Sequence, residues 1–217
     1  KRLGTERGFI VAKPNCSIQS YVPALDALKE FEPEQVIVST YQAISGSGKT
    51  FEQWPEMIGN VIPYIGGEEE KSEKEPLKIW AQVKDGKIVN ASKPAISAQC
   101  IRVSVLDGHM ATVAVKFAKK PSREQILESW ANYSTAIEDM DLPLAPKKFL
   151  NYMEEDNRPQ PVLDRDLEKG MAVTIGRLRE DSIFDYKFVC LSHNTLRGAA
   201  GGALLTAELI KKMGYLD

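Results

Sequence analysis

Histidine and cysteine are both scarce in this chain: His109 and His193 are the only imidazoles, and Cys16, Cys100 and Cys190 the only thiols, among 217 residues. Ligands so few and so scattered give no zinc-type cluster. The three cysteines form neither a CxxC pair nor an even disulfide framework, which points to a reducing compartment. An excess of one charge is missing too, since 28 basic residues face 30 acidic ones for a formal net charge of -2. A nucleic-acid-binding domain would be basic, so no nucleic-acid partner is expected. No apolar run approaches the ~20 residues of a membrane span, and the opening KRLGTERGF has no signal-peptide core. No membrane partner is expected, and the cytoplasm is the expected location. No GxGxxG follows a predicted strand, so the dinucleotide fingerprint is absent from these residues. A P-loop is absent as well. SGSGKT ends like one, but the place of its first glycine is held by Ala43.

With 43% hydrophobic and 27% charged residues the composition is that of an ordinary globular protein, long enough for one large domain or two small ones. Residues 8–12 (GFIVA) read as a short strand, Pro14-Asn15 as a turn, and Ile18, Tyr21, Val22, Leu25, Leu28 and Phe31 as one helical face, which puts Cys16 at a helix N-terminus. Residues 34–41 read as a strand that ends in Gln42 and the glycine-rich loop, and residues 50–58 as a short helix. The run EEEKSEK is too short and mixed to act as an interaction tail. Residues 78–83 and 87–89 flank the hairpin signal Asp85-Gly86. Residues 95–106 and 110–118 read as long strands, Ser122 as the cap of a helix to about residue 132, residues 140–161 as an irregular excursion, and 172–178 and 185–191 as two more strands. Asn194 opens a long Gly- and Ala-rich helix, whose small residues admit a close neighbour. Strands alternating with helices argue for an α/β fold on a mixed sheet. The missing initiator Met and a strand that begins at once are what a fragment would show.

Cys16 is the leading candidate nucleophile, because a helix N-terminus favours thiolate; the plainer reading is a small buried apolar residue. Cys100, in an alternating strand, and Cys190, in FVCL, read as core. His109 follows Asp107-Gly108 at a turn, where loops present functional groups, whereas His193 reads equally as a cap or a solvent-facing side chain. Arg102 is polar in an apolar strand. It could snorkel to the surface or grip a carboxylate with its planar fork.

In order, PNCS from Pro14, STYQAISGSG from Ser39, GGEEEK from Gly66, CIRVSVLDGH from Cys100 and NTLRGAAGG from Asn194 resemble aspartate-semialdehyde dehydrogenases, closest to their archaeal and fungal branch, across nearly the whole chain. The resemblance implies a glyceraldehyde-3-phosphate dehydrogenase-like C-terminal domain, a mixed sheet with helices packed on one side. Residues 1–193 would form the catalytic and dimerisation domain, and residues 194–217 a C-terminal helix that packs on a missing NADP-binding domain. It implies Cys16 as the nucleophile, with Asn15 and the Cys16 backbone N–H stabilising the oxyanion, Gln42 orienting the substrate and His109 as the acid/base. Arg102 would hold the substrate α-carboxylate, Glu68 its α-ammonium and Lys71 the phosphate. Ser45, Gly46, Ser47, Gly48 and Asn194 would lie against NADP. The implied reaction is reductive dephosphorylation of L-aspartyl 4-phosphate to L-aspartate 4-semialdehyde and phosphate, in lysine, threonine and methionine biosynthesis, by a homodimer or tetramer. A malonyl-CoA reductase of the same family, which has no α-ammonium to bind, and a non-catalytic oligomerisation module are the alternative readings.

Overall fold

The apolar-polar alternation of PEQVIVSTYQ builds the strand around which the sheet is organised. Along β1 (Pro33–Gln42), Val36, Val38, Thr40 and Gln42 are buried on one face while Gln35 and Ile37 are exposed on the other. β1 lies parallel to β5 (Ala95–Val103) and antiparallel to β6 (His109–Phe117). With β2 (Val61–Ile62), β7 (Leu150–Met153), β8 (Val173–Glu180) and β9 (Tyr186–Ser192) they form a mixed seven-stranded sheet of order β2-β5-β1-β6-β9-β8-β7. β3 (Gln82–Lys84) and β4 (Lys87–Val89) make a separate hairpin, closed by Asp85 and Gly86 at φ 51° and 71°, the doubly left-handed turn that matches strand twist. The computed structural model describes residue 4 and residues 8–216.

The helices are α1 (Val22–Asp26), α2 (Glu68–Ile79), α3 (Arg123–Ala131), the single turns α4 (Pro161–Asp164) and α5 (Leu167–Gly170), and α6 (Gly201–Lys212). The core lies on the Val36 and Val38 face, where Ile18, Tyr21, Leu25 and Leu28 from around α1 and Ile126 and Trp130 from α3 meet Val113, Phe188 and Ile175. The opposite face, including Ile37, Tyr41, Ile101, Thr112 and Ala114, is half-buried or exposed. This is the expected mixed sheet with helices on one side. α2 crosses over between the parallel strands β1 and β5 and seals the edge of β5, since Glu73 and Glu69 accept the backbone N–H of Ala98 and Cys100 at 3.1 and 3.3 Å.

Several local expectations need correction. Residues 8–15 are not a strand: Ile10 is 96% exposed, and an extended segment without a pairing neighbour has no ladder to join. The segment from Ile18 buries the predicted face, but as the 3-10 turns Ile18–Ser20 and Lys29–Phe31 on either side of α1, with Pro23 restarting the helix. Residues 50–58 hold only the 3-10 turn Pro55–Met57. The charged run forms the first half of α2, which also takes Lys78 and Ile79 from the predicted strand. The excursion at 140–161 carries β7. The last helix opens as a π-helix, Leu196–Ala200, before α6.

Trp130 joins α3 to the rest: its Nε1 donates to Ala24 O at 3.0 Å, and its ring stacks on Tyr152 and meets Phe188 edge-on. Trp130→Ala should cost ~3–5 kcal/mol, read as a lower urea midpoint at an unchanged slope.

Candidate active site

Parallel pairing of β1 with β5 sets Gln42 directly beside Arg102, and antiparallel pairing with β6 brings Tyr41 opposite Met110, so His109 starts β6 at the same end of the sheet. Open α/β sheets present ligands at the carboxyl ends of such strands. There the chain doubles back over its own side chains. The Ala43 N–H donates to His109 Nδ1 at 3.0 Å, and Arg102 Nη1 donates to Ala43 O at 2.7 Å. A Cβ at Gly46 would stand 2.8 Å from Arg102 Nη1 and 2.9 Å from His109 Cε1, so only glycine allows the SGSG loop to lie flat on both residues.

This cover determines the state of both groups. With Nδ1 accepting a hydrogen bond, the neutral His109 carries its proton on Nε2, which is buried without a partner among the described residues. Burial first, then the positive charge of Arg102 and His193, pushes its pKa down to about 3. Arg102 is 6% exposed, and no carboxylate pairs with it among the described residues. Burial pulls its pKa down, against the favourable fields of Glu68 and Cys16.

Glu68, at the start of α2, gathers three more of the expected residues. Its carboxylate, on a residue 9% exposed, accepts from Asn15 Nδ2 at 3.0 and 3.1 Å and from Gln42 Nε2 at 3.3 Å, and pairs with Lys71 Nζ at 3.0 Å. Asn15 is fixed from its other end by Ser17, whose N–H and Oγ donate to Asn15 Oδ1 at 2.7 and 2.8 Å. Gln42 also donates to Thr40 Oγ1 at 3.3 Å.

Cys16 sits in the turn between them, half-buried, but not for the reason the sequence offers. It precedes a three-residue 3-10 turn rather than a full helix, so no macrodipole of useful length points at it. Burial and then the Glu68 carboxylate push its thiol up, with Lys13 and Arg102 pulling the other way. A lowered pKa is therefore a corrected expectation. The thiol is packed instead by the π-helix: a Cβ at Gly198 would lie 2.7 Å from Cys16 Cβ. The close neighbour that the small residues admit at this point is Cys16. At Gly201 it is Met171, whose Sδ would be 2.7 Å from an added Cβ.

A cleft of about 450 Å³ opens over Cys16, lined by Asn15, Ser45, Gly46, Lys71, Asn194 and Gly198 among others. Asn194 is buried and ties two loops together, its Oδ1 accepting from Gly108 N at 2.8 Å and its Nδ2 donating to Ser45 Oγ at 2.9 Å. Ser47 and Gly48 are exposed on the outer turn of the loop, Ser47 Oγ donating to Ile44 O and Gly48 at φ 73°. Among the described residues no group of acidic, His and Cys side chains could hold a metal ion.

Three residues take roles at the site that the sequence reading did not assign to them. Glu75 Oε2 accepts the Asn15 N–H at 2.8 Å, Ser17 orients Asn15, and Lys13 Nζ donates to the carbonyls of Pro14 and Gly198. A signal existed for Glu75. Once EEEKSEKE is read as a helix, Glu68, Lys71 and Glu75 fall at i, i+3 and i+7 on one face.

Two outcomes follow from these environments. Cys16 alone of the three thiols has surface exposure, so iodoacetamide with peptide mapping should label it first. Its rate should still be climbing above pH 9, because the thiol is pushed up; first labelling of Cys100 would contradict this. His109 takes its proton only near pH 3 when folded, against ~6.5 unfolded, so the unfolded chain binds more protons between those values. Stability is then lost as pH falls through that window, by up to ~1.4 kcal/mol per pH unit. Urea titrations at pH 7 and 4.5 should show a smaller drop for His109→Asn.

The model of the family described as "Semialdehyde dehydrogenase, dimerisation domain" matches residues 23–197. Aspartate-semialdehyde dehydrogenase of Aspergillus fumigatus is 40% identical over 100% of this chain and 62% of its own length, and that of Schizosaccharomyces pombe is 43% identical over 97% and 61%. The crystal structure of aspartate semialdehyde dehydrogenase with NADP from Candida albicans superposes with a TM-score of 0.86 at 37% identity, over 99% of this chain and 61% of that one. The chain thus spans about three-fifths of the length of the relatives it matches. Family model, sequence relatives and fold agree, and the chain belongs to the semialdehyde dehydrogenase dimerisation-domain family.

Proposed function

We propose that this chain supplies the catalytic and dimerisation part, residues 1–193, of an NADP-dependent, phosphorylating aspartate-semialdehyde dehydrogenase. Residues 194–217 then pack on the cofactor-binding part of the longer protein. The observation that carries the reading is the set of unlike charges that act on one thiol: the Glu68 carboxylate, paired with Lys71, and a buried Arg102 with no carboxylate partner among the described residues. An amino-acid acyl phosphate needs those groups, a carboxylate for its ammonium, a fork for its α-carboxylate and a cation for its phosphate. The malonyl-CoA alternative leaves Glu68 without an ammonium to meet.

In this reading Cys16 Sγ forms a bond to the acyl carbon of L-aspartyl 4-phosphate, the bond from that carbon to the phosphate oxygen breaks, and phosphate leaves near Lys71. The thiol is pushed up and His109 pushed down in the chain alone. In the neutral tautomer set by the Ala43 N–H, Nε2 already carries a proton, so His109 serves as a donor from Nε2, and the thiol proton leaves with the phosphate. The Cys16 backbone N–H and Asn15 face the oxyanion. Gln42, shared between Thr40 and Glu68, orients the acyl group. NADPH, when bound, would supply the hydride that takes the thioester to the aldehyde level, with Cys16 Sγ as the leaving group. Ser45, Gly46, Ser47, Gly48 and Asn194 would hold NADPH, and the fit rests on the glycine-flat loop and the Asn194–Ser45 hydrogen bond. Homodimerisation through the open sheet face, or a tetramer of such dimers, accords with the family's description, and the cytoplasm is the compartment that suits three free thiols.

NADPH absorbance with aspartate semialdehyde, NADP and phosphate tests the activity in the longer protein, and no turnover there would remove it. In that protein Arg102→Lys should lower kcat/KM ten- to a hundredfold, the loss of ~1.5–3 kcal/mol of charge-assisted grip. Unchanged kinetics would mean that Arg102 serves the fold alone.

A further inference from the structure

A second cavity, mainly apolar, adjoins the Cys16 cleft, with Lys13 and Pro14 bordering both. It measures about 400 Å³ and runs between α1, α6 and the segment 133–149, with Ile18, Val22, Phe149, Leu205 and Leu209 among its walls. Its volume falls in the range of small-molecule sites, about 300–1,000 Å³. The polar side chains on its border are nearly all engaged. Asp26 accepts from Trp80 Nε1 at 2.7 Å and Tyr133 OH at 2.8 Å and pairs with Lys29. Gln19 donates to Pro14 O, Thr206 to Gly202 O, and Lys13 to Pro14 O and Gly198 O.

Arg197 is different. Its guanidinium lies over the Phe149 ring, 4.4 Å from the centroid. Among the described residues it has no hydrogen bond and no carboxylate, and its Nε is buried without a partner. Burial drives its pKa down to about 10, with Tyr133 pulling the other way. Half-buried over a ring face, with its Nε closed off and no anion beside it among the described residues, this cation lacks the partner that would complete it. The remaining edge of a guanidinium is the fork that takes a carboxylate.

We propose that this cavity is a ligand site, separate from the Cys16 cleft, for a small molecule with an apolar body and one carboxylate, the carboxylate received by Arg197 and the body lying along Phe149, Val22 and Leu205. Arg197 belongs to the π-helix whose next residue, Gly198, rests on Cys16, so an occupied cavity holds the wall of the Cys16 cleft in place. A free amino acid is disfavoured. Its ammonium would have to turn to Asp26, whose carboxylate already serves two donors and a lysine.

3-Phenylpropionate and its neutral amide are the probes, titrated into the 217-residue chain by calorimetry, with iodoacetamide labelling of Cys16 followed in parallel. The acid should bind at least tenfold more tightly than the amide, and should change the labelling rate of Cys16 without being displaced by aspartate semialdehyde. Arg197→Met should lose that preference with its thermal midpoint unchanged or raised, because no partner is stranded. Equal binding of acid and amide, no binding of either, or a marked fall in the midpoint of Arg197→Met would overturn the proposal. So would displacement of the probe by aspartate semialdehyde, which would place it in the Cys16 cleft.

Discussion

The carboxylate of Glu68 is the anchor from which the candidate site is hung. It is buried at the start of α2 and holds Asn15 from the thiol turn, Gln42 from the end of β1 and Lys71 from its own helix. A carboxylate kept from water needs that many donors to be tolerated. Because the donors come from separate stretches of chain, satisfying one charge also fixes the relative positions of the residues beside Cys16. The same charge raises the thiol's pKa. A cation that neutralises it would relieve the thiol, so the anchor of the resting site is also the group best placed to register a charge beside Cys16.

A second constraint, close approach, completes the site where hydrogen bonds do not reach. Gly46 lets the loop after β1 press on Arg102 and His109, and Gly198 lets the π-helix press on Cys16. Both contacts exclude water from ionisable groups. That exclusion, more than any neighbouring charge, pushes down the pKa of the imidazole and of the arginine. Irregular helix at this position accords with π-turns collecting at functional sites, since the extra residue widens the turn to pass around the thiol.

Much was legible in the order of residues alone. Alternation gave β1, β5, β6, β8 and β9 to within a few residues, Ser122 gave the cap of α3, with its side chain accepting from Gln125 N at 3.2 Å, and Asp85-Gly86 gave the hairpin. These are local signals, in which side-chain period or turn geometry is dictated by neighbours in the chain. The ordered set of short motifs likewise pointed to Asn15, Cys16, Gln42, Glu68, Lys71, Arg102, His109 and Asn194, which the fold brings to one end of the sheet.

Other features were decided only by the tertiary structure, because they depend on partners distant in sequence. Whether residues 8–12 form a strand depends on a neighbour to pair with. Whether EEEKSEK is a surface run or a helix depends on β5 offering the N–H groups of Ala98 and Cys100 to Glu73 and Glu69. The role of Glu75 rests on a turn sixty residues away. The sign of the Cys16 shift was misjudged for the same reason: a helix N-terminus is a property of the local chain, whereas burial and the Glu68 field come from the packed fold. Residue types and their order determined which groups could act. Desolvation and long-range contacts determined the protonation state in which each of them stands.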